Sequence, residues 1–137
     1  MEKSDVMVDS NVYIDLLRAR RDAVNILYQW AGERNLAVCG MIRLEVLRGV
    51  KSIKLLTRLS AFMDVMCNVP AHPNLWQDAT DLAWSLDRRG MTLPAPDLLI
   101  AASAMKIGAA VLTSDAHFRH IEGGLRVISP PGEWFGN

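Results

Sequence analysis

Two rhythms of apolar and polar residues alternate along this chain. Short unbroken apolar runs are separated by longer stretches in which apolar residues return every three or four positions. The first kind fits strands buried on both faces, and the second fits helices with one apolar side. The pattern predicts a strand at Asp5–Val8, helices at Asn11–Arg20 and Asp22–Glu33, and a strand at Leu36–Cys39. Helices at Met41–Val50 and Lys51–Val65 follow, then a brief strand at Met66–Val69 stopped by Pro70. Pro73–Arg89 is the most clearly patterned helix. Leu75, Ala79, Leu82, Ala83 and Leu86 form one stripe, Pro73 suits its start and Gly90 suits the position just past its end. After a loop over Met91–Pro96, Asp97 stands where an N-cap belongs, ahead of LLIAASAM. That segment is apolar nearly all round, which predicts a central, buried helix. Strands at Ala110–Thr113 and Arg126–Ser129 complete the series before Pro130, Pro131 and Gly132 end regular structure.

Strands alternating with helices predict an α/β fold, a parallel sheet with helices on both faces. Right-handed crossovers bring every strand's C-terminus to one edge, and ligands of open α/β sheets bind beyond that edge. No internal repeat, low-complexity tract or linker interrupts the pattern, so one domain over residues 1–137 is expected.

Composition narrows the class. Half the residues are hydrophobic and 22% are charged, which describes a globular chain and excludes a disordered one. Fifteen basic residues balance fifteen acidic ones, so any footprint for nucleic acid must be local. Arg18, Arg20 and Arg21, or Arg88 and Arg89, are candidate phosphate contacts and equally ordinary solvated surface. Cys39 and Cys67 are too isolated for a disulfide framework or a metal knuckle, and read as buried thiols in a reducing cytoplasm. The most apolar run, Leu98–Ser114, is broken by Lys106 and Gly108 and is short for a bilayer, and no signal-peptide pattern precedes it. A cytoplasmic protein without a membrane anchor is the expectation.

Four carboxylates map to the C-terminal edge of the predicted sheet. Asp9 follows the first strand, Asp115 follows Ala110–Thr113, Asp97 opens the apolar helix, and Glu45 lies in the helix after the second strand. Separately, Asp9 and Asp97 have an ordinary reading as helix caps and Asp115 as a turn residue. Glu45 is less ordinary, because Leu44, Val46 and Leu47 surround it and buried carboxylates are rare unless paired or metal-bound. Together, four carboxylates at one edge repel one another unless a cation lies among them, and such hard oxygen donors suit Mg²⁺ or Mn²⁺. A metal so placed activates water and stabilises charge on a phosphoryl group under attack. His72, His117 and His120 lack zinc spacing, which leaves them as loop residues or substrate contacts.

The segments VDSNVYIDLL, RLEVLRG, PDLLIAASA and LTSDAHFRHI stand in an order and spacing that resemble the PIN-domain ribonucleases, most closely the VapC-type toxins of bacterial toxin–antitoxin pairs. The resemblance covers nearly the whole chain. It implies a PIN-domain, Rossmann-like three-layer fold and a Mg²⁺- or Mn²⁺-dependent endoribonuclease. It carries the acidic quartet onto Asp9, Glu45, Asp97 and Asp115 as catalytic residues and metal ligands, with Ser10, Asn11 and Thr113 in supporting positions. It also implies an RNA substrate, a cognate antitoxin and a homodimer. Trp76, Trp84 and Trp134 are many for one small core, and Trp is enriched at interfaces. A helix such as Lys51–Val65 would offer an amphipathic partner a groove, if its apolar residues are not ordinary core. The sequence departs from the family pattern at Ile42, where Ser or Thr is common, and at His117, where a further Asp is common, leaving one metal or two open. A response-regulator receiver would want an acidic pair near the first strand's end and a Lys after the last strand. A haloacid-dehalogenase-type phosphatase would want Asp where Asn11 stands. The remaining alternative is a PIN-like binding module that joins a DNA-binding partner and has little nuclease activity.

Overall fold

Val6, Met7 and Val8 are all buried, with no alternation between wet and dry faces. That is the mark of a central strand covered on both sides. In the computed structural model, which describes residues 4–121 and 123–136, this strand is β1 (Asp5–Val8). It pairs in parallel with β2 (Asn35–Cys39) on one side and β4 (Ala110–Leu112) on the other. Two edge strands, β3 (Cys67–Val69) and β5 (Val127–Ile128), complete a parallel sheet in the order β3-β2-β1-β4-β5. Helices α1 (Ser10–Arg18) and α2 (Ala23–Ala31) connect β1 to β2. Next, α3 (Gly40–Leu47) and α4 (Ile53–Asp64) connect β2 to β3, and α5 (Pro73–Arg88) and α6 (Ala95–Lys106) connect β3 to β4. The result is the expected three-layer α/β fold.

The strand order reverses at β1. The chain winds outward through β2 and β3, then returns to build β4 and β5 on the other flank. The crevice between the ends of β1 and β4 is therefore the topological switch point, where such sheets bind ligands.

Local signals explain most helix ends. Asp22 caps α2 by accepting the Asn25 N–H at 3.0 Å, and Ser52 caps α4 by accepting that of Leu55 at 3.3 Å. Gly90 follows α5 with φ +77°, the left-handed conformation expected just past a helix end. Leu98 through Ala104 of α6 are buried without a break, which confirms the central helix.

Two expectations need correction. Asp97 is not an N-cap. Helix α6 begins at Ala95, and Pro96 occupies the first turn, where its missing N–H has no cost. Cys67 is exposed, because β3 lies at the sheet edge and buries only Val69. Among the tryptophans, Trp76 and Trp84 are more than half exposed, whereas Trp134 packs edge-on against Trp30 at 5.8 Å. Among the described residues, no helix is long and apolar enough to cross a membrane.

Candidate active site at the switch between β1 and β4

Asp9 follows β1 directly, and its backbone N–H bonds the Leu112 carbonyl at 2.9 Å, extending the sheet one step. It occupies the N-cap position of α1, yet its side chain caps nothing. The carboxylate is only 2% exposed and turns toward β4, where its Oδ2 accepts the Thr113 hydroxyl at 2.7 Å. The bland capping explanation of Asp9 therefore fails.

Thr113 is the hub of this edge. Its Oγ1 accepts the Asp115 backbone N–H at 3.0 Å and the Asn11 side-chain amide at 3.3 Å. A hydroxyl has one proton and two lone pairs. With both lone pairs engaged, the proton is directed at Asp9. Asn11 Oδ1 is buried at the same place with no hydrogen-bond partner among the described residues.

Glu45 joins from α3. The neighbouring Leu44 is 57% exposed while Glu45 is half-buried, an inversion of the usual preference. Ser10 explains it: this buried hydroxyl donates to Glu45 Oε1 at 2.9 Å and lies 3.5 Å from Asp9 Oδ1. Ile42, at a position where a hydroxyl was common in the resemblance, is fully buried and serves the core.

Asp97 and Asp115 close the set. Asp97 sits in the first turn of α6, where the helix dipole favours a carboxylate. Burial raises its pKa to about 6, and the charges of Asp9, Asp115 and Glu45 add to the rise against a smaller opposing effect of His117. Asp9 is likewise pushed up to about 6, first by burial and then by Glu45 and Asp115, with the Thr113 bond pulling the other way. All four predicted acids are thus within electrostatic reach of one another. Asp115 also heads a short 3-10 turn, Ala116–His120; its Oδ1 accepts the His117 backbone N–H at 2.8 Å, and the His117 ring Nδ1 lies 2.9 Å from the same oxygen. The turn reading of Asp115 was therefore partly right. The His117 contact was missed, and its only signal was the two-residue spacing from an Asp.

The donor set is all oxygen: four carboxylates, two hydroxyls and the orphaned Asn11 carbonyl. Among the described residues, no three acidic, His or Cys side chains gather closely enough to enclose an ion by themselves. The oxygen donors themselves suit Mg²⁺ or Mn²⁺, which keeps several waters and needs only one or two direct carboxylates. They do not suit a closed cage. The residues fit such a hydrated ion.

Comparisons with known proteins bear on the family and the fold. The family model of the PIN domain matches residues 6–124. A chain of VapBC2 from Rickettsia felis, bound to a DNA fragment from its promoter, superimposes with a TM-score of 0.74 at 20% identity, over 91% of this chain and 98% of that one. A chain of DNA-bound VapBC from Salmonella typhimurium gives 0.73 at 20% identity, over 94% and 98%. A toxin–antitoxin complex from Klebsiella pneumoniae gives 0.63 at 25% identity, over 90% and 95%. A search of curated protein sequences finds no match.

Proposed function

The chain belongs to the PIN domain family, and from that premise we propose that it is a Mg²⁺- or Mn²⁺-dependent endoribonuclease, the toxin of a toxin–antitoxin pair. We take residues 1–137 as one PIN domain. The observation that carries the reading is the convergence of Asp9, Glu45, Asp97 and Asp115 at the switch point, where burial first, and then the charges of the neighbouring acids, make Asp9 and Asp97 resist ionisation. Carboxylates crowded this way are costly to the fold alone and become favourable around a cation.

Asp9 and Asp97 are the groups most in need of a cation and are proposed as its principal ligands, with Asp115 and Glu45 completing the site directly or through water. When bound, the metal supplies an activated water and charge neutralisation for phosphodiester hydrolysis. The chain's own residues prepare that site. Thr113 fixes the rotation of Asp9, Ser10 draws Glu45 inward, and Asn11 holds Thr113 while presenting its free oxygen. Such orientation of ligands by outer partners is a regular feature of metal centres.

The Klebsiella relative is a toxin–antitoxin complex, which supports a cognate antitoxin here. A groove of about 670 Å³ between α2 and α4, lined by Tyr28, Phe62, Val65 and Met66 and also by Asp5, Gln29 and Arg34, offers an amphipathic partner helix a seat that is part apolar and part charged. It lies at the N-terminal ends of the strands, away from the acids, so an inhibitory side chain would have to come from a separate part of the partner.

A second reading draws on the DNA-bound assemblies among the structural neighbours: a module that joins a DNA-binding partner and cuts little. One experiment separates the two. Purified protein is incubated with RNA alone, with Mn²⁺, and with Mn²⁺ plus excess chelator. Cleavage only in the second tube, abolished by Asp9→Asn, supports the nuclease. Intact RNA in all three leaves the binding module.

A further inference from the structure

Four carboxylates at one edge repel a phosphate backbone, so an RNA strand drawn to them has to be held by basic side chains nearby. The turn Ala116–His120, directly behind Asp115, carries such side chains. Phe118 and Ile121 are buried and pin the turn to the core, while His117, Arg119 and His120 stay exposed. Arg89, just past the end of α5, braces it by donating to the His120 carbonyl at 3.3 Å. The best-fixed of the three exposed side chains is Arg119, whose Nη2 donates to the Ser129 hydroxyl at 3.0 Å. Ser129 follows β5, and the Ile128 carbonyl before it accepts the Thr113 N–H at 3.0 Å. Arg119 is therefore anchored at the same sheet edge as Asp9. From β1 across β4 to β5 is two strand spacings, about 10 Å. We propose that Arg119 binds a phosphate of the RNA strand beside the acidic crevice. This rests on the reading of the edge as a site for RNA.

Two other guanidiniums of the chain show what a structural role looks like. Arg58 is closed by Asp22 through two bonds, at 2.7 and 3.2 Å, and Arg43 pairs with Asp64 at 2.9 Å. Among the described residues, no carboxylate pairs with Arg119. Its one contact among them is to a neutral hydroxyl, which engages one of five N–H groups and aims the fork without neutralising it. The remaining N–H groups form the planar donor array that matches phosphate oxygens. Balanced overall charge makes such a local footprint the way this chain can hold RNA. The anchored position also limits what Arg119 touches: it stands one strand beyond Thr113, so it meets a phosphate along the strand rather than the acids themselves.

The test uses the full chain and a labelled single-stranded RNA of mixed sequence. Fluorescence anisotropy gives affinity in chelator across a salt series, and KM for cleavage in Mn²⁺ is taken over the same series. Each phosphate contact to a single strand contributes about 0.7 to the slope of log affinity against log salt. Arg119→Gln should weaken binding about tenfold at low salt and lower the slope by about that amount. Arg119→Lys, which keeps the charge, should restore the slope. Arg58→Gln removes a charge already closed by Asp22 and should leave the slope at its wild-type value. A wild-type slope for Arg119→Gln, read in KM if binding requires metal, would overturn the assignment. So would an equal loss in Arg58→Gln or no recovery in Arg119→Lys, while cleavage by wild type would keep the nuclease reading standing. Binding that depends on Arg119 with no cleavage in Mn²⁺ would overturn the nuclease reading and keep the phosphate contact. Wild type that neither binds nor cuts RNA would overturn both.

Discussion

The Thr113 hydroxyl donates to Asp9 Oδ2 at 2.7 Å across the gap between β4 and β1. It ties together the two strand ends that form the site and joins residues 104 positions apart in sequence. Because Asn11 and the Asp115 N–H occupy its lone pairs, the hydroxyl has no other orientation available. Thr113→Val is nearly isosteric and removes this hub. It should cost about 1–3 kcal/mol, since it leaves buried polar groups without partners. Loss of the hydrogen bond that favours ionised Asp9 should also weaken Mn²⁺ binding. Denaturant unfolding and calorimetry together check this; an unchanged Mn²⁺ affinity would show that the hydroxyl does not set Asp9.

Metal-free protein should become less stable as pH rises through about 6. Asp9 has an ordinary pKa of 3.8 when unfolded and about 6 when folded. Between these values the folded state binds more protons, so its advantage is complete below about pH 4 and is lost as Asp9 ionises. Asp97 acts in the same direction. For the nearly fully buried Asp9 the loss is on the order of 3 kcal/mol. Asp9→Asn keeps an acceptor for Thr113 and cannot ionise, so at pH 8 in chelator it should melt higher than wild type, by on the order of 10 °C. A variant that melts below wild type at pH 8 would show that Asp9 is not under charge strain.

Mn²⁺ should reverse that strain. At a hundred times its dissociation constant, a ligand that binds only the folded state contributes about 2.7 kcal/mol. Melting temperature should therefore climb with Mn²⁺, and climb more at pH 8 than at pH 5, where protons compete for the carboxylates. Glu45→Gln should shrink the rise. Asp9→Asn or Asp97→Asn should cut RNA cleavage by orders of magnitude, because each removes a principal ligand. Full cleavage by either would remove that residue from the site.

The centre of the sheet was legible because β1, β2 and β4 are short, largely apolar and buried runs, and they fall within a residue or so of the expected positions. The acids were legible for a topological reason: parallel strands put every βα junction on one edge. What periodicity does not carry is side-chain direction. Asp9 and Asp115 both precede helical turns, yet Asp9 ignores its helix and Asp115 caps its turn. Only the packing of Thr113 between them decides that. Cys67 was misjudged because a run of apolar residues does not say which strand is the edge. Its exposure follows from strand order, which depends on the whole chain.

A homodimer is expected through the outer face of α5. Trp76 and Trp84 are 54% and 63% exposed, and Leu44 on α3 is 57% exposed. Trp76 and Leu44 line one apolar pocket together with Leu75 and Leu99. Large apolar side chains left in water at one place mark a surface that is normally covered. Trp76→Arg should convert a sedimenting dimer to monomer at tens of micromolar while leaving the melting temperature of the monomer close to its former value. A wild-type profile showing only monomer would count against the homodimer, and a dimer indifferent to this change would direct the search to another face.

Expression without a partner should arrest growth of the native host, and co-expression of the neighbouring partner gene should restore it. The acidic crevice explains how inhibition would work. Asp9, Asp97, Asp115 and Glu45 attract whatever cation reaches them, and a guanidinium carries a permanent charge in a planar fork that two carboxylate oxygens can accept. An Arg from the antitoxin would therefore compete directly with the metal. Most of the contact area would lie elsewhere, on surface such as the α2–α4 groove, so affinity and inhibition should separate. Asp9→Asn should be harmless to cells yet bind the antitoxin nearly as wild type does. Replacing the inserted Arg of the antitoxin by Ala should leave a complex that still forms but no longer blocks cleavage at high Mn²⁺. Growth unaffected by wild-type expression in that host, with no partner present, would remove the toxin reading and leave the module that joins a DNA-binding partner.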